Sequence, residues 1–210
     1  QPDNIVVKNE RISNSPKKDA ITTAIKHAKY EWIITTDADC ILPKYWLDSF
    51  DELIQTKQSK CIIAPVAFTD KKSFLYSFQQ LDMLSLQGAT IGGVGIEKVY
   101  LCNGTNFAYQ KELFESVNGF EGNTNTASGD DIFLLEKIVK IYPKNTDYLK
   151  CKQAIVTTKP QPNWRDLKEQ RIRWAAKTSA YNNGFGKLTG LIVLLMNTLT
   201  ISLLVLYAMN

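Results

Sequence analysis

Residues 30–40, Tyr-Glu-Trp-Ile-Ile-Thr-Thr-Asp-Ala-Asp-Cys, impose the tightest constraint on the fold. Trp32 to Thr36 is apolar and β-branched, which reads as a buried strand running into a turn. Asp37 and Asp39 stand at its C-terminal end, the edge at which open α/β sheets place their ligands. Residues two apart on an extended chain point the same way, so both carboxylates can face one cleft. Two anions that close repel unless a cation lies beside them. A hard divalent ion takes oxygen ligands, and Mg²⁺ is commonly held by one or two carboxylates together with substrate phosphates. The pair therefore points to a metal–diphosphate site. Turn chemistry alone also accounts for aspartates at a strand end, so the rest of the chain has to decide.

Around this strand the pattern alternates. Ile5 to Val7 reads as a strand, Asn14-Ser15-Pro16 as a turn, and Lys17 to Lys29 as an amphipathic helix with Ala20, Ile21, Ala24, Ile25 and Ala28 at helical spacing. His27, near its C-terminus, fits a surface residue favoured by the helix dipole. Pro43 suits a helix start, with apolar faces from Tyr45 to Ile54, and Cys61 to Phe68 reads as another strand. The alternation predicts an α/β fold with a mainly parallel sheet flanked by helices. Ser73 to Gln87 predicts a helix whose Phe74, Phe78 and Leu81 read as core, with an interfacial helix near a membrane as the alternative. Ala89 to Gly95 predicts a mobile loop, because its glycines fit no phosphate-loop spacing. Leu101 to Tyr109 reads as a turn entering a strand, and Lys111 to Val117 as a short helix stopped by Asn118-Gly119.

The polar loop Gly122 to Gly129 ends in Asp130-Asp131, at the start of a helix opened by Ile132-Phe133-Leu134-Leu135. Capping explains one aspartate there; two in succession point to function. Ala154 to Thr158 reads as a strand. Trp164 to Lys177 then reads as an amphipathic helix, with Trp164, Leu167, Ile172, Trp174 and Ala175 set against Arg165, Lys168, Arg171, Arg173 and Lys177. Such a helix can rest among lipid headgroups, or be a basic surface helix drawn to anionic lipid.

The chain has 210 residues, 44% of them hydrophobic, which allows one sizeable core with appendages. A net charge of +4 does not call for a nucleic-acid partner. Cys40, Cys61, Cys102 and Cys151 form no Cys-x-x-Cys pair and His27 is the single histidine, which argues against a zinc cluster. Reduced thiols are the expectation, and two disulfides in a secreted chain the alternative. Gln1 to Glu10 lacks the apolar core of a signal peptide, and the chain opens without Met almost directly in Asn4-Ile5-Val6-Val7, so an excerpt of a longer protein is expected. Leu188 to Met209 has no charged residue and is long enough to cross a hydrocarbon core of about 30 Å. Arg171, Arg173, Lys177 and Lys187 precede it, which puts the soluble part on the cytoplasmic side.

Asp37-Ala38-Asp39, Gly129-Asp130-Asp131 and Gln170-Arg171-Ile172-Arg173-Trp174, in this order and followed by a membrane helix, resemble the motifs of the family-2 glycosyltransferases. These are inverting enzymes of GT-A fold whose membrane-bound members include cellulose, hyaluronan and poly-N-acetylglucosamine synthases. The resemblance implies a GT-A-like catalytic domain over 1–160 with its N-terminal part missing, an interfacial amphipathic helix over 161–187 and a transmembrane helix over 188–210. It implies donor binding by Lys17, Asp37 and Asp39, with Asp39 the ligand of a divalent metal, Mg²⁺ or Mn²⁺. Asp131 would be the general base and Asp130 its support, while Gln170, Arg173 and Trp174 would border acceptor and diphosphate. The implied partners are a nucleotide-sugar donor, a glycan or lipid-linked acceptor and membrane lipids, with no nucleic acid. Gly-Asp-Asp departs from the family's Glu-Asp or Thr-Glu-Asp, and the opening strand with the acids that grip the nucleotide base has no counterpart upstream of Ile5. One alternative is a catalytically silent, membrane-anchored sugar- or lipid-binding scaffold of the same fold. A nucleotidyltransferase also pairs acids around a metal, but has no need of Gln-x-x-Arg-Trp beside a membrane.

Overall fold

The structure, a computed structural model, describes residues 5–69, 72–124, 129–178 and 182–209. Positions 125–128 of the polar loop before Asp130 and the side chain of Lys177 lie outside the described residues.

Helix α1 spans Pro16–His27, with Pro16 in its first turn, where a missing N–H costs nothing. Asp19 fixes the chain entering it: its carboxylate accepts from the Ser13 hydroxyl at 2.7 Å and from the backbone N–H groups of Ser13 and Ile12. Those bonds, the Ser13 hydroxyl foremost, hold the Asp19 carboxyl down to about 2. Strand β1 (Trp32–Thr35), helix α2 (Trp46–Thr56), strands β2 (Cys61–Ile63) and β3 (Val66–Phe68), and the 22-residue helix α3 (Phe74–Gly95) follow. A 3₁₀ turn at Gly104–Asn106 leads into β4 (Phe107–Gln110), then come α4 (Lys111–Ser116), α5 (Asp130–Ile141), β5 (Thr146–Tyr148) and β6 (Val156–Thr158). Helices α6 (Trp164–Thr178) and α7 (Gly184–Met209) close the chain.

The main sheet has the order β1-β4-β2-β5. Strand β4 is antiparallel to both β1 and β2, and β5 is parallel to β2, so β1, β2 and β5 share one direction with β4 reversed between them. A second, two-stranded parallel sheet joins β3 to β6. The architecture is mixed α/β with helices flanking the sheets, as expected of a GT-A-like fold, but the main sheet is not mainly parallel: the reversed β4 makes two of its three pairings antiparallel.

Period-two alternation builds the core on both faces of the main sheet. Cys61, Ile63, Phe107 and Tyr109 point to one side, where Leu113 and Phe114 of α4 and Leu134, Leu135 and Ile138 of α5 cover them. Ile62 and Ala108 point to the other, against Trp46 and Phe50 of α2 and Val156 of β6. Leu135 and Ile138 have no exposed surface; truncating either to Ala would cost about 2–5 kcal/mol. Asn106, also fully buried, ties the layers together: its amide donates to the carbonyls of Pro65 (2.7 Å) and Ala154 (2.8 Å), and its oxygen accepts from the Trp46 indole (3.0 Å).

Several local expectations are corrected. Residues 5–7 form no strand: Ile5 and Val6 are exposed and pair with no described strand, so β propensity there finds no neighbour. The stretch Cys61 to Phe68 is two strands in different sheets, broken at Ala64-Pro65, where proline has no N–H to give a ladder. Residues 89–95 form no loop but the last two turns of α3, with Thr90 and Gly93 buried. Each glycine there costs helix stability of about 1 kcal/mol; at Gly93 close packing requires it, because a Cβ would meet the Lys98 carbonyl at 3.0 Å and the Tyr100 ring at 3.2 Å.

Helices α3 and α6 lie side by side. Trp164 packs its ring against Phe74 and Phe78, and Arg171, further along α6, ion-pairs with Asp82, further along α3. Helix α7 has 26 residues and no buried one; among the described residues it is the one helix long and apolar enough to cross a membrane.

Candidate active site

Strand β1 ends at Thr35, whose hydroxyl donates to the carbonyl of Gly104 at 2.7 Å and so pins the 3₁₀ turn before β4 to the strand end. Asp37 lies just beyond. One of its oxygens accepts from the Thr105 hydroxyl at 2.7 Å and the other sits 3.2 Å from the Lys17 ammonium. The same ammonium stands 3.5 Å from Asp130, at the first position of α5. A lysine from α1 thus joins two acidic segments that are distant in sequence, which the motif spacing alone required but did not place.

Asp131 is held separately. One carboxylate oxygen accepts from the backbone N–H of Gly104 at 2.9 Å, the other from that of Ile132 at 2.9 Å. Two glycines make this possible. Gly129, directly before α5, has φ of 82°, a left-handed conformation costly for other residues. At Gly104 a Cβ would lie 3.1 Å from the Cβ of Asp131, so any side chain would push the carboxylate away.

The electrostatics of the acids diverge. Burial works against ionising Asp37, but the Thr105 hydroxyl and Lys17 outweigh it and hold its carboxyl below the usual range. At Asp131 burial dominates: with Asp130 adding like-charge repulsion, it raises the carboxyl above the ordinary value against the pull of the Gly104 and Ile132 N–H groups and Lys17. Burial likewise opposes charge on Lys17, yet Asp130 and then Asp37 keep its ammonium pKa raised. The corner therefore sets one low-pKa carboxylate near one high-pKa carboxylate, with a persistent cation bridging the acidic segments. Environments that push acids apart in this way are suited to dividing binding from proton transfer.

Beside it opens a cleft of about 480 Å³ between α1 and β1, which Lys17, Asp37, Gly104 and Asp130 border at its polar end. Asp39 is exposed; its one described side-chain contact is the weak donation from the Cys40 thiol at 3.8 Å. Among the described residues no three or more His, Cys, Asp or Glu side chains are arranged to hold a metal ion by themselves. Asp39 and Asp37 are oxygen donors of the kind that a hard cation such as Mg²⁺ or Mn²⁺ takes alongside phosphate oxygens and water.

The third motif stands apart. Gln170 accepts from Arg171 at 3.0 Å, and the Arg171 guanidinium lies 4.2 Å from the centre of the Trp174 ring while pairing with Asp82. Arg173 is exposed. No hydrogen bond or ion pair among the described residues links Gln170, Arg173 or Trp174 to the aspartates. The structure thus gathers Lys17, Asp37, Asp130 and Asp131, leaves Asp39 open to solvent, and ties the α6 motif to α3 through Arg171. The sequence reads residues 103–106 as part of a turn entering a strand and Arg171 as part of a basic helix, but gives Gly104, Thr105 and Arg171 no individual role; in the structure Gly104 and Thr105 hold the aspartates and Arg171 organises its own segment.

Two solved structures are similar in shape. One is glucosyl-3-phosphoglycerate synthase from Mycobacterium tuberculosis, in complex with Mn²⁺ and uridine-diphosphate-glucose, at 11% identity and a TM-score of 0.44, covering 76% of this chain and 51% of that one. The other is a mycobacterial protein at 13% identity and a TM-score of 0.40, covering 79% of this chain and 49% of that one. The chain thus spans about half the length of these two structures. Comparison with curated proteins finds no match. The family described as Glycosyl transferase family 2 matches residues 2–117, more than half of the chain and the part that carries Lys17, Asp37, Asp39 and Gly104. The chain belongs to glycosyl transferase family 2.

Proposed function

We propose that the chain is the catalytic part of a membrane-anchored, metal-dependent inverting glycosyltransferase, akin to the polysaccharide synthases, that moves a sugar from a nucleotide-sugar donor to a hydroxyl of a glycan or lipid-linked acceptor. The observation that carries this reading is the double ion pair of Lys17, at 3.2 Å from Asp37 and 3.5 Å from Asp130, which brings both acidic motifs to one corner.

A sugar hydroxyl is a poor nucleophile, so a carboxylate that accepts its proton speeds attack by about 10²–10⁴-fold. Asp131 suits that task because burial raises its proton affinity and two backbone N–H groups fix its orientation. The acceptor oxygen forms the new bond to the anomeric carbon, its proton passes to Asp131, and the bond to the diphosphate breaks with its electron pair leaving on the diphosphate. One displacement inverts the configuration. Lys17 supplies positive charge where the departing diphosphate gathers negative charge, and Asp130 holds Lys17 there. Asp37 and Asp39 bind the donor, Asp39 as ligand of Mg²⁺ or Mn²⁺, which when bound supplies further charge neutralisation. Gln170, Arg173 and Trp174 border acceptor and diphosphate in this reading. Helix α7 crosses the membrane, and Arg171, Arg173 and Lys187 before its apolar run favour a cytoplasmic catalytic side.

The test is to place the protein in bilayers, offer nucleotide-sugar donors one at a time, and measure released nucleoside diphosphate with and without Mn²⁺ or Mg²⁺. Release with at least one donor, dependent on the metal, is expected. No release with any donor would leave the silent scaffold as the better account.

A further inference from the structure

Helix α3 has an outer face that water does not explain. Phe74, Phe78, Leu81 and Leu84 are 78%, 46%, 69% and 57% exposed, and Trp164 of α6, stacked beside the two phenylalanines, is 51% exposed. Every exposed position of α3 is apolar, serine or glycine. Its single charged residue, Asp82, is taken up by Arg171 of α6. A helix that faces water carries charges on that face, and a contiguous apolar patch of this kind marks an interaction surface.

Three features of the molecule say what covers it. Exposed cations frame the patch: Lys72 just before α3, Lys98 just after it, and Lys168 one turn beyond Trp164 on α6. This arrangement of apolar centre and basic rim complements an anionic lipid surface. Trp164 is of the type that settles at the headgroup boundary, and phenylalanines suit the apolar face that inserts beside it. Finally, the start of α7 sits at the end of α3, because the Tyr100 ring packs on Phe185 and lies within 3.2 Å of a Cβ built on either Gly93 or Gly186. Five residues separate α6 from α7, a reach of about 20 Å at full extension. A bilayer entered by α7 is therefore adjacent to the α3–α6 layer.

We propose that the outer face of α3, with Trp164 of α6, is a lipid-docking surface that lies on the bilayer and holds the catalytic corner at a set height above it. This rests on the reading that α7 spans the membrane. The docked layer reaches the site directly, since the segment from Gly95 to Gly104 runs from the end of α3 to the N–H that holds Asp131.

The experiment uses the full chain in vesicles of phosphatidylcholine and phosphatidylglycerol, with Cys40, Cys102 and Cys151 replaced by serine and single nitroxide labels introduced. Labels at Leu81→Cys and, as a second reporter on the same face, Leu84→Cys are compared with Leu195→Cys in α7 and Asp51→Cys on the distant α2. Collision rates with oxygen, which partitions into lipid, and with a water-soluble nickel chelate give the location of each. The expected result is an oxygen-to-nickel ratio at 81 and 84 several-fold above that at 51 and below that at 195, falling when phosphatidylglycerol is omitted. A lipid-like ratio at 195 with water-like ratios at 81 and 84 overturns the docking surface and leaves the span intact. Water-like ratios at all positions overturn the span and the docking with it. Low collision with both reagents at 81, together with spin–spin broadening that unlabelled protein dilutes away, would show a second copy on the face and also overturns the proposal.

Discussion

The corner around Lys17 and the segment around Arg173 hold similar groups, cations beside polar side chains, yet the fold treats them in opposite ways. At the corner five groups come from four elements: Lys17 from α1, Asp37 after β1, Thr105 before β4, and Asp130 and Asp131 opening α5. On α6 the described polar contacts of the motif run within the helix or from Arg171 to α3, and Arg173 is exposed. The difference is one of preorganisation. Groups held by several elements keep their geometry before a ligand arrives, which favours electrostatic stabilisation of a transition state; groups on one helix face move with that helix.

The comparison predicts its largest effect at Asp131. Asp131→Asn keeps the shape and an oxygen for the Gly104 N–H but removes the base, so turnover should fall by about 10³-fold. Donor affinity, measured by calorimetry, should stay nearly unchanged. Unaltered turnover would break the assignment of the corner as the reacting centre.

Lys17→Met comes next. It removes the cation that joins the two acidic segments and leaves like charges facing each other, so donor affinity should weaken by roughly tenfold to a hundredfold, the scale of a lost charge-assisted contact. Titrating donor binding checks this, and a matching gain in metal dependence would sharpen it by showing that added cation replaces the lost one.

Gly104→Ala should act through geometry alone. The added Cβ meets Asp131 at 3.1 Å, so the carboxylate has to shift by a few tenths of an ångström. Turnover should drop about tenfold, with a stability loss of about 1 kcal/mol from the crowding. Kinetics and a denaturant titration on the same variant separate the two.

How far such a corner can be read from residues alone follows from which forces made it. Helices α1, α5, α6 and α7 were legible because their periodicity lies within a dozen neighbouring residues. Strand β5 was not, since Thr146–Tyr148 is three residues long, includes the acid Asp147, and exists through its pairing with the distant β2. The same long-range dependence misled at Ile5 to Val7, where propensity was present and a partner strand was not. Lys17 and the aspartates were visible as motif residues. Gly104 was invisible because its part is a backbone N–H and a missing Cβ, and Thr105 because its part is a single hydroxyl on Asp37. Arg171 was passed over because motif matching favoured Arg173, although Arg171 makes the contact to α3.

Asp131→Asn also carries a smaller and opposite effect on stability. A carboxyl whose folded pKa is raised binds its proton more tightly when folded. Its contribution to stability is full below the unfolded carboxylate value and is lost as pH rises through the folded value. As pH rises through that folded value the protein has to carry charge on Asp131 where burial opposes it, and asparagine avoids this. The variant should melt at a higher temperature than the parent at pH 7, and the gain should shrink as pH falls toward the ordinary carboxylate range. Asp37 runs the other way: its lowered pKa adds stability above the unfolded value, lost as pH falls through the folded one. Melting curves across pH for Asp131→Asn and Asp37→Asn should therefore diverge with opposite slopes.

The smallest effects separate the two arginines of α6. Arg171→Ala breaks the pair with Asp82, leaves that carboxylate as the lone charge of α3, and removes a cation stacked on Trp174, for a loss of about 1 kcal/mol. Arg173→Ala removes an exposed side chain and should stay within about 0.5 kcal/mol of the parent. If Arg173 meets the diphosphate once donor and acceptor are bound, its loss should still slow turnover a few-fold while the melting temperature stays put. Arg171→Ala should lower the melting temperature and affect turnover only as far as α6 loosens. Equal melting losses would mean that Arg173 has a structural partner and that the third motif is a packing device. A melting loss confined to Arg171, with a turnover loss confined to Arg173, would place α6 as the movable wall of a site whose other wall is already built.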